Sequence, residues 1–113
     1  MRIDGAGCNA STNVTFDVHL SSGDPNWAFS FFPRDARSRR NLTVGANVVG
    51  SVSLMTHELG HSLGFRHEQI RGSSPCFGED ATNSRGVTTY DQRSIMHYWQ
   101  AECNGTSDSQ QEI

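Results

Sequence analysis

The chain has 113 residues, enough for one domain with a modest hydrophobic core. Hydrophobic residues make up 35%, as in a globular protein, and no apolar run here is long enough to cross a bilayer. The formal charge is −3, with all nine basic residues Arg and twelve acidic residues beside them, so no nucleic-acid or anionic-membrane partner is expected.

Cys8 precedes the first periodic segment and reads as a small buried thiol. Met1 leads into Arg2-Ile3-Asp4-Gly5 without an apolar signal core, and the expectation is a shortened start. Val14, Phe16, Val18 and Leu20 alternate with polar residues, which predicts a half-buried strand over 13–20, with His19 facing outward. Ser21 to Asn26 carries turn chemistry. A second strand is predicted from Trp27 to Phe32, ended by Pro33; it is either a sheet edge able to pair with an extended peptide or an ordinary core strand.

Arg34 to Arg40 is a basic loop, read as a solvated hairpin tip or as a rim that meets acidic residues of a substrate. Leu42, Val44, Ala46 and Val48 alternate as a third strand, broken at Gly50. Ser51 or Ser53 then caps a helix on which Leu54, Met55, Leu59 and Leu63 are expected to pack under the sheet. From Arg71 to Val87 periodicity is lost, and the tail from Thr106 to Ile113 is polar.

The most informative stretch is His57-Glu58-Leu59-Gly60-His61-Ser62-Leu63-Gly64-Phe65-Arg66-His67-Glu68. Two histidines four apart share one helix face, close enough to grip one ion. Gly64 falls where a helix ends through a left-handed residue, so the chain can turn and bring His67 as a third ligand. Three protein ligands leave one position open to water, which is the arrangement of catalytic rather than structural zinc. Glu58 lies about 100° round the helix from His57, placed to accept a proton from water and pass it to a leaving amine. Three imidazoles suit zinc better than magnesium or calcium.

The stretch matches H-E-x-x-H-x-x-G-x-x-H, and the chain thereby resembles the metzincin metallopeptidases. Ser94-Ile95-Met96-His97-Tyr98 resembles the Met-turn of their astacin branch, and Glu68 and Arg71 are similar to the continuation of that branch's zinc motif. The spacing, with Cys76-Phe77 between the motifs and Cys103-Asn104-Gly105 after them, is similar to that of small bacterial secreted relatives. The resemblance implies an α+β catalytic domain: a small twisted mixed sheet packed on the active-site helix, then an irregular lower subdomain. Residues 1–113 would be one such domain, with an upper part over about 1–67 and a lower part over about 68–113. It also implies Met96 as a hydrophobic floor under the metal, Tyr98 as a switchable further zinc ligand and oxyanion donor, and Glu68 as a contact for a processed N-terminus. Nothing in the sequence corresponds to the family's long backing helix or C-terminal helix, so the expectation is a shortened catalytic domain with one sheet face exposed.

Cys76 and Cys103 flank the Met-turn segment and are the expected disulfide pair. Closing a loop of about 27 residues contributes on the order of 3 kcal/mol in the chain-entropy model and implies an oxidising, extracellular setting. The expected function is a monomeric, secreted zinc endopeptidase with Glu58 and Tyr98 catalytic and a peptide or protein substrate. The alternative is an inactive or truncated zinc-binding relative that grips peptides; Glu58 speaks against it, and the missing helices speak for it.

Overall fold

The computed structural model describes residues 13–71 and 82–97. Cys8, Cys76, Tyr98, Cys103 and the 106–113 tail lie outside the described residues. The described elements, in chain order, are β1 (Asp17–Leu20), β2 (Ala28–Phe29), β3 (Asn41–Val44) and α1 (Val52–Ser62), with single 3₁₀ turns at Arg37–Arg39 and Glu68–Ile70. The three strands form a mixed sheet of order β1-β3-β2, in which β1 runs parallel to β3 and β2 antiparallel to it. The architecture is α+β, as expected.

The strands are shorter than the alternating patterns predict. β1 begins only at Asp17, where its amide first reaches the Arg40 carbonyl at 3.1 Å. β2 keeps two residues, Ala28 opposite Val44 and Phe29 opposite Thr43, and leaves Leu42 and Asn41 of β3 without a β2 partner. β3 stops at Val44 and not at Gly50, since the chain at Gly45 runs hard against the Pro25–Trp27 backbone. Gly45 donates to the Trp27 carbonyl at 2.8 Å, and a Cβ there would collide with the Pro25 carbonyl. Among the described residues β2 lies at a sheet edge, the first of the two readings left open for this strand.

Register places Val18 and Leu20 on the same face as Leu42, Val44 and Ala28. Leu42, Val44 and Ala28 are buried, and with Phe31 and Met96 they make up the apolar core of the described residues. Val18 and Leu20 are 62% and 68% exposed, so the expectation of a half-buried β1 face is corrected. The helix packs against β2, the strand at the opposite side of the described sheet from β1. Phe16, just before β1, still reaches inward, with its ring 5.2 Å from that of Phe31.

The Arg34 to Arg40 loop is mostly exposed, yet one of its arginines ties it to the first strand and another braces it internally. Arg37 pairs with Asp17 at 3.0 Å and donates to the Val14 carbonyl at 2.7 Å. Arg40 donates to the carbonyls of Asp35 and Pro33 at 2.9 and 3.1 Å.

Helix α1 starts at Ser51, whose hydroxyl accepts from the Leu54 amide at 3.3 Å. Its buried residues are Ser53, His57, Glu58, Gly60 and His61, a helical stripe made of polar and small groups. Leu59 and Leu63, expected to pack under the sheet, are 40% and 75% exposed, and Leu54 and Met55 are only half-buried. The helix turns its histidine face, and not its leucine face, toward the rest of the molecule.

Candidate metal centre

Two backbone devices deliver the three histidines. The first is the end of α1. Gly64 adopts φ +98°, its amide donates to the His61 carbonyl at 2.9 Å, and the Phe65 amide donates to the Gly60 carbonyl at 3.0 Å. That pair of bonds is the Schellman motif, and it reverses the chain so that His67 returns beside the helix. The second is the turn over 91–97. The Met96 amide donates to Ser94 Oγ at 3.2 Å and the His97 amide to the Ser94 carbonyl at 2.9 Å. The turn is seated on α1 at Gly60, where an added Cβ would lie 2.5 Å from Met96 Sδ. Gly60 therefore accepts the buried Met96 between the two helical histidines.

The imidazoles of His57, His61 and His67 converge, with one ligand nitrogen of each within 4.8 Å of the others. His61 Nε2 and His67 Nε2 are 3.1 Å apart, and His67 Nε2 and His57 Nε2 are 3.2 Å apart. Two nitrogens that share one ion at about 2.0–2.1 Å in a tetrahedral arrangement stand about 3.3–3.4 Å apart, close to these two separations.

The outer nitrogens decide what the inner ones carry. His57 Nδ1 lies 2.7 Å from the Ile95 carbonyl, and His61 Nδ1 lies 2.7 Å from the Phe65 carbonyl. A carbonyl only accepts, so both Nδ1 atoms bear the proton and both Nε2 atoms present lone pairs. One proton on His67 Nε2 can satisfy at most one of its two close neighbours. A cation among the three lone pairs accounts for the close approach, and the backbone carbonyls behind the rings are the outer partners that metal-binding histidines normally have. The donor set thus fits a metal ion.

Burial sets the charge state of the surroundings. Glu58 is 6% exposed, and burial pushes its carboxyl up to about 7. His67 is pushed down to about 4 by burial and then by the nearby His57 and His97. Phe32 lies edge-on to the His61 ring at 5.4 Å, and the Arg66 guanidinium sits 5.4 Å above Phe32.

Comparison with protein-family models, with curated proteins and with solved structures finds no match. The site is therefore read from its own geometry.

Of the residues singled out in the sequence, the structure brings together His57, His61 and His67, buries Glu58 beside them, and places Met96 against the helix between the first two histidines. Tyr98 lies outside the described residues, as does the Cys76–Cys103 pair. The N-terminal residues to which resemblance links Glu68 lie outside the described residues; Glu68 Oε1 accepts from the Asp91 amide and from Arg71 Nε, both at 2.9 Å. Sequence reasoning passed over the fully buried His97, which meets the Tyr90 hydroxyl at 2.8 Å. It also passed over the ligand-orienting carbonyls of Ile95 and Phe65, since main-chain acceptors leave no trace in residue type.

Proposed function

We propose that the chain is a zinc endopeptidase of the metzincin type, similar to the astacin branch. The observation that carries this reading is the convergence of three imidazole Nε2 atoms, two of them 3.1 and 3.2 Å from the third, beside a buried glutamate. A structural zinc site is normally closed by four protein ligands, and among the described residues only these three converge. Zinc held there supplies the Lewis acid that activates water and polarises the scissile carbonyl.

The chain's own residues do the rest. His57, His61 and His67 would hold the ion through their Nε2 atoms. Glu58 accepts a proton from the attacking water and returns it to the departing amine nitrogen. The carbonyls of Ile95 and Phe65 keep His57 and His61 in the tautomer that binds metal. By the astacin resemblance, the Tyr98 hydroxyl would donate a hydrogen bond to the developing oxyanion, and the peptide or protein substrate would be met outside the cell.

The test is cleavage of denatured casein by the purified chain, with and without a chelator. Cleavage that stops on chelation and returns with zinc supports the proposal. A zinc-loaded chain that leaves casein intact removes the hydrolytic part and leaves a metal-dependent peptide-binding module.

A further inference from the structure

The third ligand differs from the other two in how it is held. His57 and His61 stand on one regular helix, whereas His67 follows a turn and precedes only a short 3₁₀ segment, Glu68–Ile70. A ligand on such a segment is placed only as well as that segment is anchored.

The anchor is a compact polar clasp. The Glu68 amide donates to the Met96 carbonyl at 2.9 Å, tying the residue after His67 to the turn that packs on α1. The Glu68 carboxylate accepts the Asp91 amide at 2.9 Å, a contact spanning 23 residues of sequence. Arg71 Nε meets the same carboxylate oxygen at 2.9 Å. The other end of the guanidinium reaches the Thr88 carbonyl through Nη1 and Thr88 Oγ1 at 3.5 Å through Nη2. The two side chains are 11% and 23% exposed, so this is not a solvated surface pair. Stripping one partner from such a pair leaves the other charge poorly solvated and free to pull the segment apart.

We infer that the Glu68–Arg71 pair is the positioning element of the metal site: it fixes His67 against the 88–96 segment and thereby sets the affinity for the ion. Neither residue is a ligand, and neither touches the reacting atoms. Each acts through the backbone that carries His67. The inference rests on the metal-binding part of the proposal above and is independent of the hydrolytic part.

The experiment is a zinc titration of the metal-free chain against a chromophoric chelator, run on the parent, Arg71→Gln, Arg71→Lys and Glu68→Gln. The melting temperature of each metal-free protein is measured alongside. Removing an outer partner of a metal ligand typically weakens binding 10–100-fold, and that loss is expected for Arg71→Gln and Glu68→Gln. Arg71→Lys should fall between them and the parent, because an ammonium neutralises Glu68 but cannot span Glu68 and Thr88 as a planar fork does. The d–d spectrum of bound cobalt should also shift in the variants, since His67 meets the ion at an altered angle.

Equal affinities and unchanged cobalt spectra would overturn the inference, even if the metal-free variants melt lower, because that pattern describes a purely structural pair. Should Arg71→Gln fail to fold, Arg71→Lys decides by the same criterion. A parent that binds no zinc overturns the metal reading and this inference together. A parent that binds zinc but cleaves nothing overturns only the hydrolytic reading.

Discussion

Replacing Glu58 by Gln in the metal-free protein should change how stability depends on pH, because two buried groups pull in opposite directions. Glu58 is raised from 4.5 to about 7 by burial, so in the unfolded chain it ionises at a pH where the folded chain still keeps it protonated. Folding therefore loses stability as pH rises from 4.5 to about 7, and the penalty is constant above that. At 1.36 kcal/mol per unit, the full penalty is about 3 kcal/mol. His67 behaves in the reverse sense. It is lowered from 6.5 to about 4 by burial and neighbouring histidines, so its contribution is intact above 6.5 and is lost as pH falls to about 4, again by about 3 kcal/mol. Between pH 4.5 and 6.5 the two slopes oppose each other, and these groups leave the parent nearly flat. Glu58→Gln removes one slope and exposes the other. The variant should match the parent near pH 4.5, gain stability up to pH 6.5, and exceed the parent by about 3 kcal/mol at pH 8. Urea unfolding in the presence of chelator, followed by circular dichroism at half-unit pH steps, measures this directly. A variant that differs from the parent by a constant amount across the range, or is less stable at pH 8, would refute the reasoning.

The same Glu58→Gln protein, loaded with zinc, should lose turnover by on the order of 10²–10⁴-fold with its metal content intact, as measured by peptide cleavage and elemental analysis. Gly60→Ala normally favours a helix, but here the new methyl would meet Met96 Sδ, and a loss of about 1–3 kcal/mol is expected in urea unfolding. Ser51→Ala removes the hydroxyl that accepts from the Leu54 amide, and the melt should report a loss of about 1 kcal/mol with zinc affinity unchanged. Tyr98→Phe should lower turnover about 10²–10³-fold without altering zinc content; an equally active variant would reduce Tyr98 to packing.

What the sequence revealed of this site depended on spacing and on backbone chemistry. The three histidines and the glycine that turns the chain between them lie within eleven residues, so local rules were enough to predict both the φ +98° turn and the convergence. The serine cap was equally local. Leu59 and Leu63 misled because a helix is assumed to bury its most apolar stripe, whereas here the buried stripe carries the histidines. Strand lengths were overestimated for a related reason. Alternation shows which residues suit a strand, but Gly45 against Pro25 and the two-residue pairing of β2 are decided by neighbours distant in sequence. The clasp joining Glu68, Arg71, Thr88 and Asp91 has no period at all, and only the folded chain brings its members together.

The hydrogen bond from His57 Nδ1 to the Ile95 carbonyl has a kinetic consequence. It makes the irregular 91–97 turn, and not the helix, the backing of the first ligand, while the Met96 carbonyl on the Glu68 amide makes the same turn the backing of the third. Regular helix opens rarely, but an irregular segment held by a few hydrogen bonds opens far more often. An ion at this site would therefore leave on the timescale of that segment's opening. Its residence time would follow amide exchange at Glu68 and Asp91, and remain indifferent to the much slower unfolding of α1.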